Sequence, residues 1–159
     1  MPPPTPGSPV DDFSAATTTD KTFRLSDFHG KNHVVLYFYP KDNTPGCTTE
    51  GQEFRDAYAA FQAADTVIVG VSRDSLKSHE KFKANQGFPF ELLADPDEQV
   101  CTLFDVMKLK NMYGKQVRGI ERSTFLIDKQ GILSREWRKV SVKGHVAEVL
   151  AAAQALQAV

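Results

Sequence analysis

The chain has 159 residues, with 19 Lys and Arg against 20 Asp and Glu and a formal charge of -1. That is the size of one domain, with no net basic field to draw in nucleic acid or an anionic membrane. No apolar run approaches the roughly 20 residues of a membrane span, and no basic-then-apolar signal opens the sequence, so a cytoplasmic, reducing compartment is the expectation.

Residues 1–9 carry Pro2, Pro3, Pro4, Pro6 and Pro9 with Gly7 and Ser8, a composition that predicts an extended or disordered segment outside the fold. Residues 10–159 read as a single domain. Phe13 to Leu25 alternates loosely and predicts a hairpin turned at Thr19-Asp20-Lys21, followed by a short helical turn capped by Ser26. Val34 to Tyr39 is a β-branched and aromatic run, the pattern of a strand buried on both faces. Thr44 and Pro45 then read as N-cap and first residue of a helix whose apolar stripe is Phe54, Ala57, Tyr58 and Phe61. A strand at Val67 to Val71, a helix from Ser75 to Gln86 ending at Gly87, and a strand near Phe90 to Leu93 follow. Asp95-Pro96-Asp97-Glu98 opens another helix carrying Val100, Leu103 and Phe104.

Met107 to Gly119 reads as a polar connection, its Lys108, Lys110, Lys115 and Arg118 solvated and its Met107, Leu109 and Met112 packing. Thr124 to Ile127 and Ile132 to Val140 read as antiparallel strands turned at Asp128-Lys129-Gln130-Gly131, before an alanine-rich helix from Val142 to Leu156. Parallel strands first, an antiparallel pair later and helices between them predict a three-layer α/β/α domain with a mixed central sheet and an N-terminal hairpin.

The sequence places Cys47 in the first turn of the helix that opens at Pro45. Unpaired backbone N–H groups and the positive end of the helix dipole favour a negative sulfur there. Thiols in such places, beside a cation, ionise at about 3.5–7.5 against about 8.5 for free cysteine. Cys47 is therefore a candidate nucleophile, although the same spacing also suits a small apolar residue in a helix start.

Pro40, Thr44 and Cys47 spell Pro-x-x-x-Thr-x-x-Cys, with Glu50 three residues on. Together with Glu121-Arg122-Ser123-Thr124-Phe125 and Asn111-Met112-Tyr113-Gly114, this resembles the peroxiredoxins, in particular the bacterioferritin comigratory or peroxiredoxin Q subfamily. The similarity runs from about Val10 to the C-terminus. It implies a thioredoxin-like fold and a thiol-dependent peroxidase that reduces hydrogen peroxide and organic hydroperoxides. It implies no cofactor, because sulfur carries the electrons, and recycling by thioredoxin or another thiol donor. A monomer is expected, with a dimer as the alternative. By the resemblance, Cys47 is the nucleophile, Arg122 the catalytic cation, Thr44 the hydroxyl that positions peroxide, and Pro40 the shield. The backbone N–H groups of Gly46 and Cys47 are placed to hold the peroxide, and Glu50 reads either as an acceptor for an arginine or as a support for the helix start. No metal is expected, since His29, His33, His79 and His145 are scattered and no Cys/His cluster has ligand spacing.

This chain departs from the subfamily at the resolving thiol. The position five residues after Cys47 is Gln52, and Ser78 to Ala84 holds no cysteine either. Cys101 is the only other thiol and lies beside Val100 and Phe104, where packing alone explains it. Three routes remain: a one-cysteine cycle completed by an external thiol, a Cys47–Cys101 bond after local unfolding, or a bond between chains. Gly51, inside the same helix, reads either as a hinge or as a place where packing tolerates no side chain. A redox-sensing or binding module of the same fold is the non-enzymatic rival.

Overall fold

The computed structural model describes residues 2–158; Met1 and Val159 lie outside the described residues. In chain order the elements are β1 (Ser14–Thr17), β2 (Lys21–Arg24), a 3-10 turn (Leu25–Phe28), β3 (His33–Phe38), α1 (Pro45–Asp56), α2 (Tyr58–Ala63) and β4 (Thr66–Ser72). Then come α3 (Leu76–Gln86), β5 (Glu91–Ala94), α4 (Gln99–Leu103), β6 (Met107–Met112), β7 (Lys115–Ile120), β8 (Ser123–Ile127), β9 (Leu133–Trp137) and α5 (His145–Gln157).

Seven strands form one mixed sheet in the order β2-β1-β5-β4-β3-β8-β9. The β3, β4 and β5 pairings are parallel, and those of β8 with β3 and β9, and of β1 with β2 and β5, are antiparallel. The run that reads as doubly buried lies at the centre. Every residue of β3 is buried, and alternation sends Val34, Leu36 and Phe38 into one core and Val35 and Tyr37 into the other.

The layers are unequal. Helices α1, α2, α3 and α5 cover one face through Phe54, Phe61, Phe82 and Val149. The other is covered by α4, the hairpin's Phe23, and Val10 and Phe13 of the N-terminal arm.

Five local expectations are corrected. The helix carrying Cys47 is broken at Ala57, where α1 passes into α2 with φ -95° and ψ 3°. Residues 107–120, expected as a connection, form the two-stranded ribbon β6–β7, closed by Tyr113 and Gly114 at φ 53° and 79°. Left-handed values at both corners are what a tight two-residue hairpin requires. Ser26 does not cap the 3-10 turn, because its hydroxyl bonds Asp12 at 2.9 Å. Thr44 takes the N-cap backbone position, but its hydroxyl donates to the Lys41 carbonyl at 2.8 Å and caps nothing.

The fifth concerns the Pro-rich arm, which is extended yet docked over part of its length. Gly7 N–H donates to the Leu133 carbonyl, Leu133 N–H to the Ser8 carbonyl, and Val10 N–H to the Gly131 carbonyl. These bonds tie it to the β8–β9 turn.

Candidate active site

The register of the central strands brings the site together. Ser123 pairs with Phe38 across β8 and β3, so Arg122, one residue earlier, stands beside the C-terminal end of β3, where the chain turns through Tyr39–Thr44 into α1. Open α/β sheets place their ligands at this end.

Arg122 Nη2 donates to the sulfur of Cys47 at 3.3 Å, and Nη1 donates to Glu50 Oε1 at 2.6 Å. One planar guanidinium thus spans two side chains of α1, a fork geometry that lysine lacks. Cys47 is 2% exposed and Glu50 fully buried. Gly46 leaves room for this approach, since a Cβ there would sit 3.2 Å from Arg122 Nη2 and press on the guanidinium.

Burial opposes the charge of Arg122, but the Glu50 carboxylate and the Cys47 sulfur outweigh it and hold the guanidinium above its ordinary range. For Glu50, burial dominates and lifts the carboxyl to about 7 even though Arg122 pulls it down. Its second oxygen, Oε2, has no hydrogen-bond partner among the described residues.

At the start of α1 the helical ladder begins with Thr48 N–H on the Thr44 carbonyl, and Pro45 has no N–H. The amides of Gly46 and Cys47 therefore belong to the unpaired first turn. Pro40 borders a cleft of about 510 Å³ together with Leu109, Lys110, Arg122 and Val140.

Lys110, which the sequence reads as solvated, is half-buried beside the site. Its ammonium is held on the Ile120 carbonyl, and burial, then the charge of Arg122, push it below the ordinary lysine range. The alternation of Met107, Lys108, Leu109 and Lys110 was the available signal.

The two cysteines are separated by the sheet. Cys47 packs with Tyr37 and Phe54 on one face, and Cys101, 0% exposed, packs with Phe38 and Phe104 on the other. Burial, then the neighbouring Asp95, pushes the Cys101 thiol far up. Gln52, at the usual resolving position, donates to Gln86 of α3 at 2.8 Å. Gly51 faces Phe88, whose Cε1 and Cε2 would lie 3.0 and 3.1 Å from an added Cβ, with Cζ nearer still. That contact favours the packing reading of Gly51 over the hinge.

The histidines stay apart. His33 Nε2 meets Gln157 at 3.0 Å, while His145 Nε2 meets Thr124 at 2.8 Å and is driven down to about 4 by burial. His79, Asp42 and Asp74 do converge, but the His79 ring nitrogens face Asp42 at 2.7 Å and the Leu93 carbonyl at 3.0 Å. Neither is directed at an open ligand position.

Comparison with known proteins agrees with this arrangement. Residues 6–135 match the model of the AhpC/TSA family. Peroxiredoxin Bcp of Bacillus subtilis is 54% identical over 144 residues, 91% of each chain. The chain belongs to the AhpC/TSA family, in its Bcp/PrxQ branch of peroxiredoxins. A second peroxiredoxin Bcp, from Xanthomonas campestris, is 58% identical over 143 residues, covering 90% of this chain and 88% of that one. Among solved structures, Xanthomonas campestris peroxiredoxin Q superposes with a TM-score of 0.86 at 50% identity over 91% of each chain. A mutant of Xylella fastidiosa PrxQ reaches 0.91 at 43% identity over 98% of each. As a peroxiredoxin of this branch the protein is a thiol-dependent peroxidase with the thioredoxin-like fold. Among the described residues, no helix of this peroxiredoxin is long and apolar enough to cross a membrane.

Proposed function

We propose that Cys47 is the peroxidatic nucleophile and that Arg122, Thr44 and Pro40 shape its site. The single observation that carries this reading is the guanidinium of Arg122 on the Cys47 sulfur at 3.3 Å. The thiolate attacks one peroxide oxygen, an S–O bond forms as the O–O bond breaks, and the departing hydroxide or alkoxide takes a proton to leave as water or alcohol. Charge moves from sulfur to oxygen during the step. A fixed cation and the amides of Gly46 and Cys47 stabilise both ends of that shift without reorganising. Glu50 aims the cation rather than touching the substrate.

The sulfenic acid is then reduced from outside the chain. A donor thiol attacks the Cys47 sulfur and releases water, and a second donor thiol cleaves the mixed disulfide, returning Cys47. Three features support a one-cysteine cycle. Gln52 holds the position five residues after Cys47, α3 carries no thiol, and the sheet stands between Cys47 and Cys101. Thioredoxin or another thiol reductant of a reducing cytoplasm suits the donor role. A monomer remains the expected working unit, with a dimer as the alternative.

Intact mass after one equivalent of hydrogen peroxide tests this, with parent and Cys101→Ser side by side. The expected product in both is a single added oxygen on Cys47. A loss of two hydrogens in the parent alone implicates Cys101, a doubled mass reveals a link between chains, and either outcome overturns the one-cysteine cycle. Slow oxidation, like that of free cysteine, overturns the assignment of Cys47 as peroxidatic.

A further inference from the structure

The loop from Tyr39 to Thr44, which joins β3 to α1 and carries Pro40, is anchored at its middle by a side chain that points inward. Asp42 is 4% exposed. Its Oδ1 accepts from the Tyr39 hydroxyl at 2.6 Å, and its Oδ2 accepts from Ser78 Oγ at 2.8 Å and lies 2.7 Å from His79 Nδ1. Its backbone N–H donates to Asp74 Oδ2 at 2.9 Å, an oxygen that also accepts from Ser72 Oγ at 2.6 Å. His79 sits on α3 with no exposed surface, and its second nitrogen, Nε2, lies 3.0 Å from the Leu93 carbonyl of β5.

Both groups facing the ring are acceptors. A neutral imidazole has one N–H, so either tautomer leaves one ring lone pair against the lone pair of a carboxylate or a carbonyl. A proton on each nitrogen removes the conflict, and the charge is then matched by Asp42. Two carboxylates, Asp42 and Asp74, converge on the ring and favour the same state, and the Tyr39 ring, 6.3 Å away, gives its hydroxyl to Asp42.

We propose that His79 is a positioning residue of the peroxide site, held as a buried imidazolium between Asp42 and the Leu93 carbonyl so that it fixes the loop carrying Pro40 and Thr44. Loss of the His79–Asp42 bond loosens Lys41–Thr44. It leaves α1 in place, because Arg122 grips Cys47 and Glu50, and Phe88 abuts Gly51. The consequence for rate rests on the reading of Cys47 as the nucleophile; the state of the ring does not.

Two measurements test it. In protein carrying 15N-histidine at neutral pH, both His79 ring nitrogens are expected to bear protons, and a spectrum with one unprotonated nitrogen overturns the proposal. Kinetics test the positioning role. His79→Asn sets an amide N–H where Nδ1 lies and keeps the bond to Asp42, whereas His79→Gln reaches toward Leu93 and abandons it. The Gln variant is expected to lose roughly 10- to 100-fold in its second-order rate with hydrogen peroxide, since small misplacements of a reacting pair cost that much. Alkylation of Cys47 by iodoacetamide, which needs no aligned O–O bond, should stay near the parental rate, and the Asn variant should lie between. An unchanged peroxide rate, or equal loss of both rates, overturns the positioning role. Asp42→Asn is expected to show the same split and serves if the Gln variant does not fold. Absence of peroxide turnover in the parent would sink the peroxidase reading instead, leaving the ring spectrum to stand or fall alone.

Discussion

Replacing Glu50 by glutamine separates the charge of this side chain from its shape. In the folded chain the carboxyl is buried, one oxygen bonds Arg122 and the other has no partner among the described residues. Burial raises its pKa from 4.5 to about 7. A raised folded value means that the native state holds the proton more tightly than the unfolded chain does. The corresponding stability is complete below the unfolded value and disappears as the pH rises through the folded one. A tenfold difference in proton affinity is worth about 1.4 kcal/mol, so the loss amounts to roughly 3 kcal/mol.

Glutamine does not titrate, and its amide oxygen still meets Arg122 Nη1. Urea unfolding of parent and Glu50→Gln at a series of pH values isolates the effect, because every other titrating group is common to both. The difference in unfolding free energy should move toward the variant by roughly 3 kcal/mol between about pH 4 and 8. A constant offset across that range would refute the argument, because it would mean that Glu50 ionises in the fold as it does in the open chain.

Gly51→Ala gains about 1 kcal/mol of helix propensity but drives a methyl into the Phe88 ring, which costs about 1–3 kcal/mol; a net loss by urea titration, with no slowing of amide exchange along α1, is expected. In Arg122→Lys one ammonium replaces a fork that spans 2.6 Å to Glu50 and 3.3 Å to the sulfur. Single-turnover peroxide consumption should then slow by on the order of 100-fold, with little change in thermal midpoint. Cys101→Ser puts a hydroxyl among Val100, Phe104 and Phe125 but within reach of the Asp95 carboxylate, and should destabilise by no more than about 1 kcal/mol while leaving the peroxide rate at the parental value. Slower turnover at matched folded fraction would give Cys101 a chemical role.

Much of the site could be read from the sequence because its signals are local. The strand before Pro40, the Thr44-Pro45 helix start and the stripe through Phe54 and Phe61 each follow from neighbours in the chain. The contact that completes the site does not. Arg122 reaches Cys47 only through the pairing of Ser123 with Phe38, and in the sequence the family resemblance alone stood in for that register.

The ribbon of residues 107–120 was missed because Gly114, Gly119 and four cations resemble a loop, although Met107-Lys108-Leu109-Lys110 alternates at strand period. The His79–Asp42 bond joins residues 37 apart in sequence, so no local pattern announces it. The docking of the Pro-rich arm depends on the Gly131 and Leu133 backbone at the far end of the chain. Composition gave its extended form but not its partner.

The central sheet also acts as a partition between two chemical histories. Cys47 lies near the end of β3 on the α1 side, while Cys101 lies behind a wall of Phe38, Phe104 and Phe125. If Cys47 is the peroxidatic thiol proposed above, molecules worn by repeated peroxide exposure should carry spent sulfur on the α1 side, with the second thiol as an internal standard against which the damage can be counted.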